Sequence, residues 1–376
     1  MGNLSINIVS FDIPYPANYG GVIDVFYRVK ALSELGVKIH LHCFYSDRKK
    51  ATELDKYCVS VTYYKRKKSV FNALKSLPFI VSSRRNPELE KNLKFNDYPI
   101  FFEGLHTTWL LAEDAFPNRI KMVRTHNVEH HYYKSLAKAE KGFAKKMFFN
   151  SEARKLKRYQ KVLDKADAIF TISDTDSTYF KKRFKNVELV PPFHPYPKPM
   201  YLEKALLYAF YHGNLTVPEN CDAVRFLINE VFADLELELV VAGKGAESFG
   251  KSEFPETDKV RFMGDVSDEE MLDLARNASL HVLPTFQATG FKLKLIYSML
   301  TARNVLVNSK MIEGTGAAPY CSTAETAEEF RAQILKLAYE PLDKSEFEGR
   351  INFIERAFSN RNSALAITHF LKQLSR

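Results

Sequence analysis

Short apolar runs rich in β-branched and aromatic residues recur along the chain: INIVSF, VKIHLHCF, PIFFEG, RIKMVRT, DAIFTIS and VELVP. Amphipathic segments of helical length, such as Val22 to Leu35 and Thr175 to Lys185, separate most of them. Runs that are apolar throughout read as strands buried on both faces, and their alternation with helices predicts a parallel sheet. PPFHPYPKP, residues 191–199, interrupts the pattern with five prolines, which continue neither a helix nor a central strand. It reads as a linker. Beyond it the alternation resumes with ALLYAFYHG, a helix from about Pro218, LELELVVAG, VRFMG, a helix from about Asp268, SLHVLP, a helix after Gly290, and NVLVNS. The expected fold class is α/β, with two doubly wound parallel-sheet domains of similar size, residues 1–191 and 192–360. Thr216 with Glu219, Ser267 with Glu270 and Thr326 with Glu329 have the spacing of capping boxes and mark three helix starts.

A length of 376 residues fits about two domains, and a composition 45% hydrophobic and 26% charged is that of a globular protein. Cys43, Cys58, Cys221 and Cys321 form no C-x-x-C pair, which argues against a zinc ribbon or a disulfide framework and favours a reducing compartment. The N-terminus lacks the form of a signal peptide, and no apolar run approaches the roughly 20 residues that span a bilayer. A cytoplasmic location is expected. The net charge of +9 is uneven, concentrated in KRKK, Lys65 to Lys68, and in the run Lys134 to Lys161. No nucleic-acid-binding signature accompanies it, so nucleic acid is not the expected partner; a peripheral contact with anionic lipid at the inner membrane face, or a phosphorylated substrate, is.

In open α/β sheets ligands sit beyond the carboxyl ends of the strands. Gly20 and Gly21 open a helix after the first strand, where backbone N–H groups can approach a phosphate. This is not G-x-G-x-x-G, so a nicotinamide dinucleotide has little support. Gly213 and Asn214 follow ALLYAFYH, and Gly243 and Lys244 follow LELELVVA. In the first half His106 follows PIFFEG, and Arg124, His126 and Asn127 close RIKMVRTHN. RTHNVEHH also reads as H-x-x-E-H, the zinc-peptidase signature, with His126, Glu129 and His130. That reading needs a helix already running at His126. The strand pattern before it and the poor helix former Asn127 instead place His126 in a strand-to-helix turn, where one imidazole suits proton handling or hydrogen bonding to a sugar. No metal is expected there. DTD, Asp174 to Asp176, follows a strand and starts a helix, where acidic residues cap N–H groups.

Taken in order, these residues resemble retaining glycosyltransferases of the GT-B fold, family 4-like, the group that includes many bacterial polysaccharide and glycolipid transferases. Gly20 and Gly21 match the group's first-loop glycine pair, and RTHN resembles its histidine-bearing segment. YHGNLTVPENCDAVRFL looks like the G-x-x-x-x-P-x-N-x-x-A-x-x-F opening of one branch, VRFMGDV like V-x-F-x-G-x-V, and TGFKLKLIYSM like E-G-F-x-x-x-x-x-E-A-M. The resemblance implies two facing Rossmann-like domains, with the C-terminal helix, about residues 361–376, crossing back to complete the first. It implies transfer of a sugar from a nucleoside-diphosphate sugar to a saccharide or lipid-linked acceptor, without cofactor or metal, in surface polysaccharide or glycolipid synthesis. His126 would be catalytic and His106, Arg124 and Asn127 would bind acceptor. Gly20, Gly21, Gly213, Asn214, Gly243, Lys244, Gly290, Lys294 and Tyr297 would hold the donor. The chain departs from the pattern where Tyr297 replaces the ribose-gripping glutamate, Thr289 the first acid of the paired-glutamate motif, and Asn214 and its neighbours the diphosphate-binding Arg and Lys. Lys294, Lys244 and the N-terminus of the helix after Thr216 are left to stabilise the departing diphosphate. A catalytically silent sugar-nucleotide or glycan-binding protein of this fold is the alternative, and a zinc peptidase the third.

Overall fold

The structure is a computed structural model that describes residues 4–69, 76–195, 197–202, 205–286, 291–340 and 342–374. The chain divides into two compact units. Met1–His194 and Phe358–Arg376 make the first, together with Phe291, whose ring packs on Phe358; Pro195–Ala288 and Lys292–Ala357 make the second.

The first unit holds β1 (Ser5–Ser10), β2 (Lys38–Tyr45), β3 (Ser60–Lys65), β4 (Ile100–Glu103), β5 (Lys121–Arg124), β6 (Ala168–Thr171) and β7 (Val187–Leu189), in one sheet of order β3-β2-β1-β4-β5-β6-β7. Every pairing is parallel; Ile8, for example, lies opposite Leu41 on one side and Phe101 on the other. Successive residues feed opposite cores: Ile8, Phe101, Met122 and Phe170 face one, and Val9, Phe102, Val123 and Ile169 the other. The C-terminal helix Asn360–Leu374 adds Ala364, Ile367 and Leu371 to the former beside the helix Gly20–Glu34. Asn360 anchors it, accepting from the His194 N–H at 3.1 Å and donating to the His194 carbonyl at 2.8 Å.

The second unit holds β8 (Leu206–His212), β9 (Glu238–Ala242), β10 (Val260–Met263), β11 (Ala278–Leu283), β12 (Asn304–Val307) and β13 (Ser322–Thr323), also all parallel, in order β10-β9-β8-β11-β12-β13. Strand order reverses between β1 and β4 in the first sheet and between β8 and β11 in the second, so each has a crevice at that switch. Two of the three expected capping boxes form, Ser267 with Glu270 and Thr326 with Glu329. The third does not. Asn214 Oδ1 accepts from both the N–H and the hydroxyl of Thr216, the helix starts at Pro218, and Glu219 turns elsewhere.

Candidate functional site

In the first unit a buried ionic network straddles the switch. Asp24 and Arg28, one turn apart on the helix after β1, meet Glu103 at the end of β4 and Arg124 at the end of β5. The Arg124 guanidinium donates to both Asp24 oxygens, at 2.6 and 2.7 Å, and to the carbonyls of Val190 and Pro191. Arg28 donates to Asp24 at 3.2 Å and to Glu103. The Phe193 N–H donates to Asp24 Oδ1 at 2.8 Å, tying the start of the linker to the same carboxylate. Two cations and two anions balance inside a site where unpaired charge would be prohibitive. Burial alone would raise the Asp24 pKa, but Arg124 and then Arg28 hold it well below the usual carboxylate range. Expected as an acceptor contact, Arg124 is fully buried, with each guanidinium nitrogen hydrogen-bonded within this network.

His126 lies past the end of β5 and before the helix Glu129–Ala139, in the expected turn. Its Nε2 is 3.2 Å from Glu103 Oε2. A carboxylate only accepts, so Nε2 carries the proton. Burial holds the ring neutral, its pKa down to about 4. Nδ1 then presents a lone pair, which the ionised Asp24 carboxylate 4.0 Å away, itself only an acceptor, does not satisfy. Such an atom can accept a hydrogen bond from a hydroxyl. The Phe11 ring sits edge-on to His126 at 5.4 Å and faces His106 at 5.3 Å. His106 is also kept neutral by burial, and its Nδ1 is buried with no hydrogen-bond partner among the described residues. Asn127 is half-buried in the same turn as His126.

His130 packs at a tilt against His131 and Tyr179, at 4.3 and 5.8 Å, in a separate aromatic group, so the H-x-x-E-H residues do not converge. Asp24, Glu103 and His126 do place one ligand atom each within 4.8 Å of one another. The two guanidiniums already supply the positive charge between those carboxylates. Glu129 and Asp176 form a second acidic pair. Burial, reinforced by Asp176, raises Glu129 to about 8, and burial raises Asp176 to about 6. Ser173, rather than the DTD acids, caps the helix Asp174–Lys181 through its side chain.

In the second unit the elements beyond the β8/β11 switch converge. Lys294, on the helix Leu293–Thr301, directs Nζ to Tyr211 Oη at the end of β8 and to Asn220 Oδ1, both at 3.0 Å. Tyr211 also donates to Asn220 Oδ1, at 3.1 Å. Burial lowers the Lys294 pKa to about 7, opposed by Glu219. Lys292 makes a largely buried ion pair with Glu219 at 2.5 Å. Tyr297 diverges from Lys294: its ring packs on His212 at 5.1 Å, among Met263, Met271 and Leu274.

Gly21 and Gly243 are sites of close approach. A Cβ on Gly243, where φ is +130°, would collide with the Gly213 carbonyl. The N–H groups of Gly213, Gly243 and Leu215 are spent on Ala242, Met263 and Lys244 carbonyls, so these turns offer fewer free donors to a phosphate than expected. Lys244 is exposed beside them. Gly20 opens its helix in open space, whereas a Cβ on Gly21 would reach the Phe11 ring at 2.7 Å; both belong to the first unit. Gly290 and Thr289 lie outside the described residues. Sequence reasoning missed Asp24, Arg28, Glu103, Tyr211 and Asn220. Its available signal was an Asp and an Arg four residues apart inside the apolar stripe GGVIDVFYRV.

No protein-family model matches the chain. An uncharacterized 44.6 kDa protein in the cps region of Klebsiella pneumoniae is 27% identical over 330 residues, 83% of this chain and 84% of that one. Among solved structures, TarM is 11% identical with a TM-score of 0.66 over 99% of both chains. WaaG, a glycosyltransferase involved in lipopolysaccharide biosynthesis, is 11% identical with a TM-score of 0.64, covering 98% of this chain and 99% of that one. An alpha-glucosyltransferase in complex with UDP and DNA is 11% identical with a TM-score of 0.60, covering 99% and 100%. At such identities the likeness speaks to the fold, and the chain has the GT-B fold of these glycosyltransferases.

Proposed function

We propose that the chain is a glycosyltransferase that moves a sugar from a nucleoside-diphosphate sugar, held by the second unit, to a saccharide or lipid-linked acceptor, held by the first, in surface polysaccharide or glycolipid synthesis. The observation that carries this is the Lys294 ammonium, fixed by Tyr211 and Asn220 at the carboxyl edge of the second sheet. A cation there meets the charge that develops on a departing diphosphate. The shared fold and the cps-region relative support the assignment. Transfer proceeds with retention and without a metal ion, as the family resemblance implies, with Lys294 meeting the diphosphate charge. In the first unit His126 Nδ1 accepts a hydrogen bond from a sugar hydroxyl. Calorimetric titration with UDP, GDP and ADP tests the donor half. One of them should bind, and binding should survive EDTA; failure of all three contradicts the proposal.

The first unit also meets an anionic membrane. Phe143 and Met147, 78% and 59% exposed, project from the first turns of the helix Phe143–Tyr159 among the exposed Lys141, Lys145 and Lys146. The apolar face is short, because Leu156 is buried in the core and Phe148 packs on Phe79. Each basic residue near the surface contributes about 1 kcal/mol. Vesicle sedimentation should show binding to phosphatidylglycerol and not to phosphatidylcholine, lost in the Phe143→Ser, Met147→Ser double variant; equal binding to both lipids would contradict it. No helix among the described residues is long and apolar enough to cross a membrane.

A further inference from the structure

We infer that Glu219 is a specificity-determining residue of the donor site, accepting a hydrogen bond from a hydroxyl of the donor in place of the carboxylate that position 297 lacks. The inference rests on the donor site proposed above and assigns a residue that neither motif nor spacing indicated.

Glu219 stands at the start of the helix Pro218–Phe226, which follows β8, and it reaches across the sheet switch to Thr285, which follows β11. Thr285 Oγ1 donates to it at 2.5 Å and Lys292 Nζ donates at 2.5 Å, and both bonds fall on the same oxygen, Oε1. Oε2 has no hydrogen-bond partner among the described residues, although the side chain is only 16% exposed, and this oxygen is not sealed in the interior. The carboxylate is therefore fixed by one oxygen and presents the other, with its lone pairs free, at the crevice where ligands of such sheets bind. A carboxylate beside a diphosphate would repel it. Here the neighbouring Lys292 balances the charge, and Lys294 stands two residues further along, in the first turn of the helix, to take the phosphate.

Tyr297 does not provide this chemistry. Its ring packs on His212, and burial pushes its phenol up to about 12, so it carries no charge at neutral pH. A hydroxyl donating to an anionic acceptor gains a charge-assisted bond, which a phenol does not match. Both the ribose diol and the transferred sugar offer such hydroxyls, and their shared chemistry is what Oε2 selects.

The test uses full-length protein and calorimetry. The nucleotide among UDP, GDP and ADP that binds wild type is compared with its 2′-deoxy analogue and its glucose conjugate, in wild type, Glu219→Gln and Glu219→Asp, each checked by thermal melting. If the ribose is the partner, wild type should favour the ribonucleotide over the 2′-deoxy form by about tenfold, and both variants should lose that preference. If the sugar is the partner, wild type should favour the glucose conjugate over the free diphosphate, and the variants should lose that gain. Variants that keep the wild-type preferences, or that weaken all three probes equally, overturn the role of Glu219 while leaving the donor site standing. Wild type that binds none of the nucleotides overturns the donor site itself.

Discussion

In the proposed donor site, Lys294 is the residue on which the chemistry turns. Its side chain is held at 3.0 Å by two neutral groups, so nothing among its direct hydrogen-bond partners neutralises the charge offered to a phosphate. Lys294→Met should weaken nucleoside-diphosphate binding at least tenfold, since hydrogen bonds to charged groups contribute roughly 1.5 to 3 kcal/mol. Its pKa, lowered to about 7, adds a signature: affinity should fall as pH rises through neutrality and the ammonium is lost, and the methionine variant should lack that component. Titrations at about pH 6 and about pH 8 check this. At Glu129 the pKa shift runs the other way. Its folded pKa of about 8 lies above its ordinary value, so the folded protein binds a proton that the unfolded chain has released, and stability declines as pH rises between the two. Glu129→Gln removes that decline, and in urea unfolding it should gain on wild type from about pH 5 to about pH 9. A constant difference between the two proteins would contradict the assigned burial.

At the scale of elements, most strands were legible because parallel strands buried on both faces must be apolar throughout, as INIVSF and DAIFTIS are. The two that escaped are edge strands. SVTYYK is half-buried and rich in hydroxyls, and Ser322–Thr323 is two residues long, so neither has an apolar run to detect. The turn at His126 was legible from the strand before it, whereas the fate of Arg124 was not. Its saturation depends on Asp24, a hundred positions earlier in the chain, and on the Val190 and Pro191 carbonyls, pairings that no local pattern encodes. Likewise the spacing of Thr216 and Glu219 suggested a capping box, but Asn214 competes for Thr216 and leaves Glu219 to its tertiary partners. The ionic network joins the helix Gly20–Glu34 to β4, β5 and the linker, so Asp24→Asn should cost about 3 to 5 kcal/mol, the usual cost of breaking one partner from a buried pair. Denaturant unfolding measures it; a loss under about 1 kcal/mol would show that the cluster does not hold these elements together.

For the whole molecule, two units of one architecture carry unlike chemistry at their sheet switches. The first presents neutral imidazoles over a charge-balanced network, suited to hydroxyls, and the second presents lysines, suited to phosphates. That division is what a transfer from an anionic donor to a hydroxyl acceptor requires. The most direct measurement is turnover: release of nucleoside diphosphate from a panel of labelled UDP, GDP and ADP sugars, with water or extracted lipid and glycan as acceptor, by wild type and Lys294→Met. The account predicts release from at least one donor by wild type and a steep loss in the variant. Folded wild-type protein that neither binds nor turns over any of the panel would contradict it.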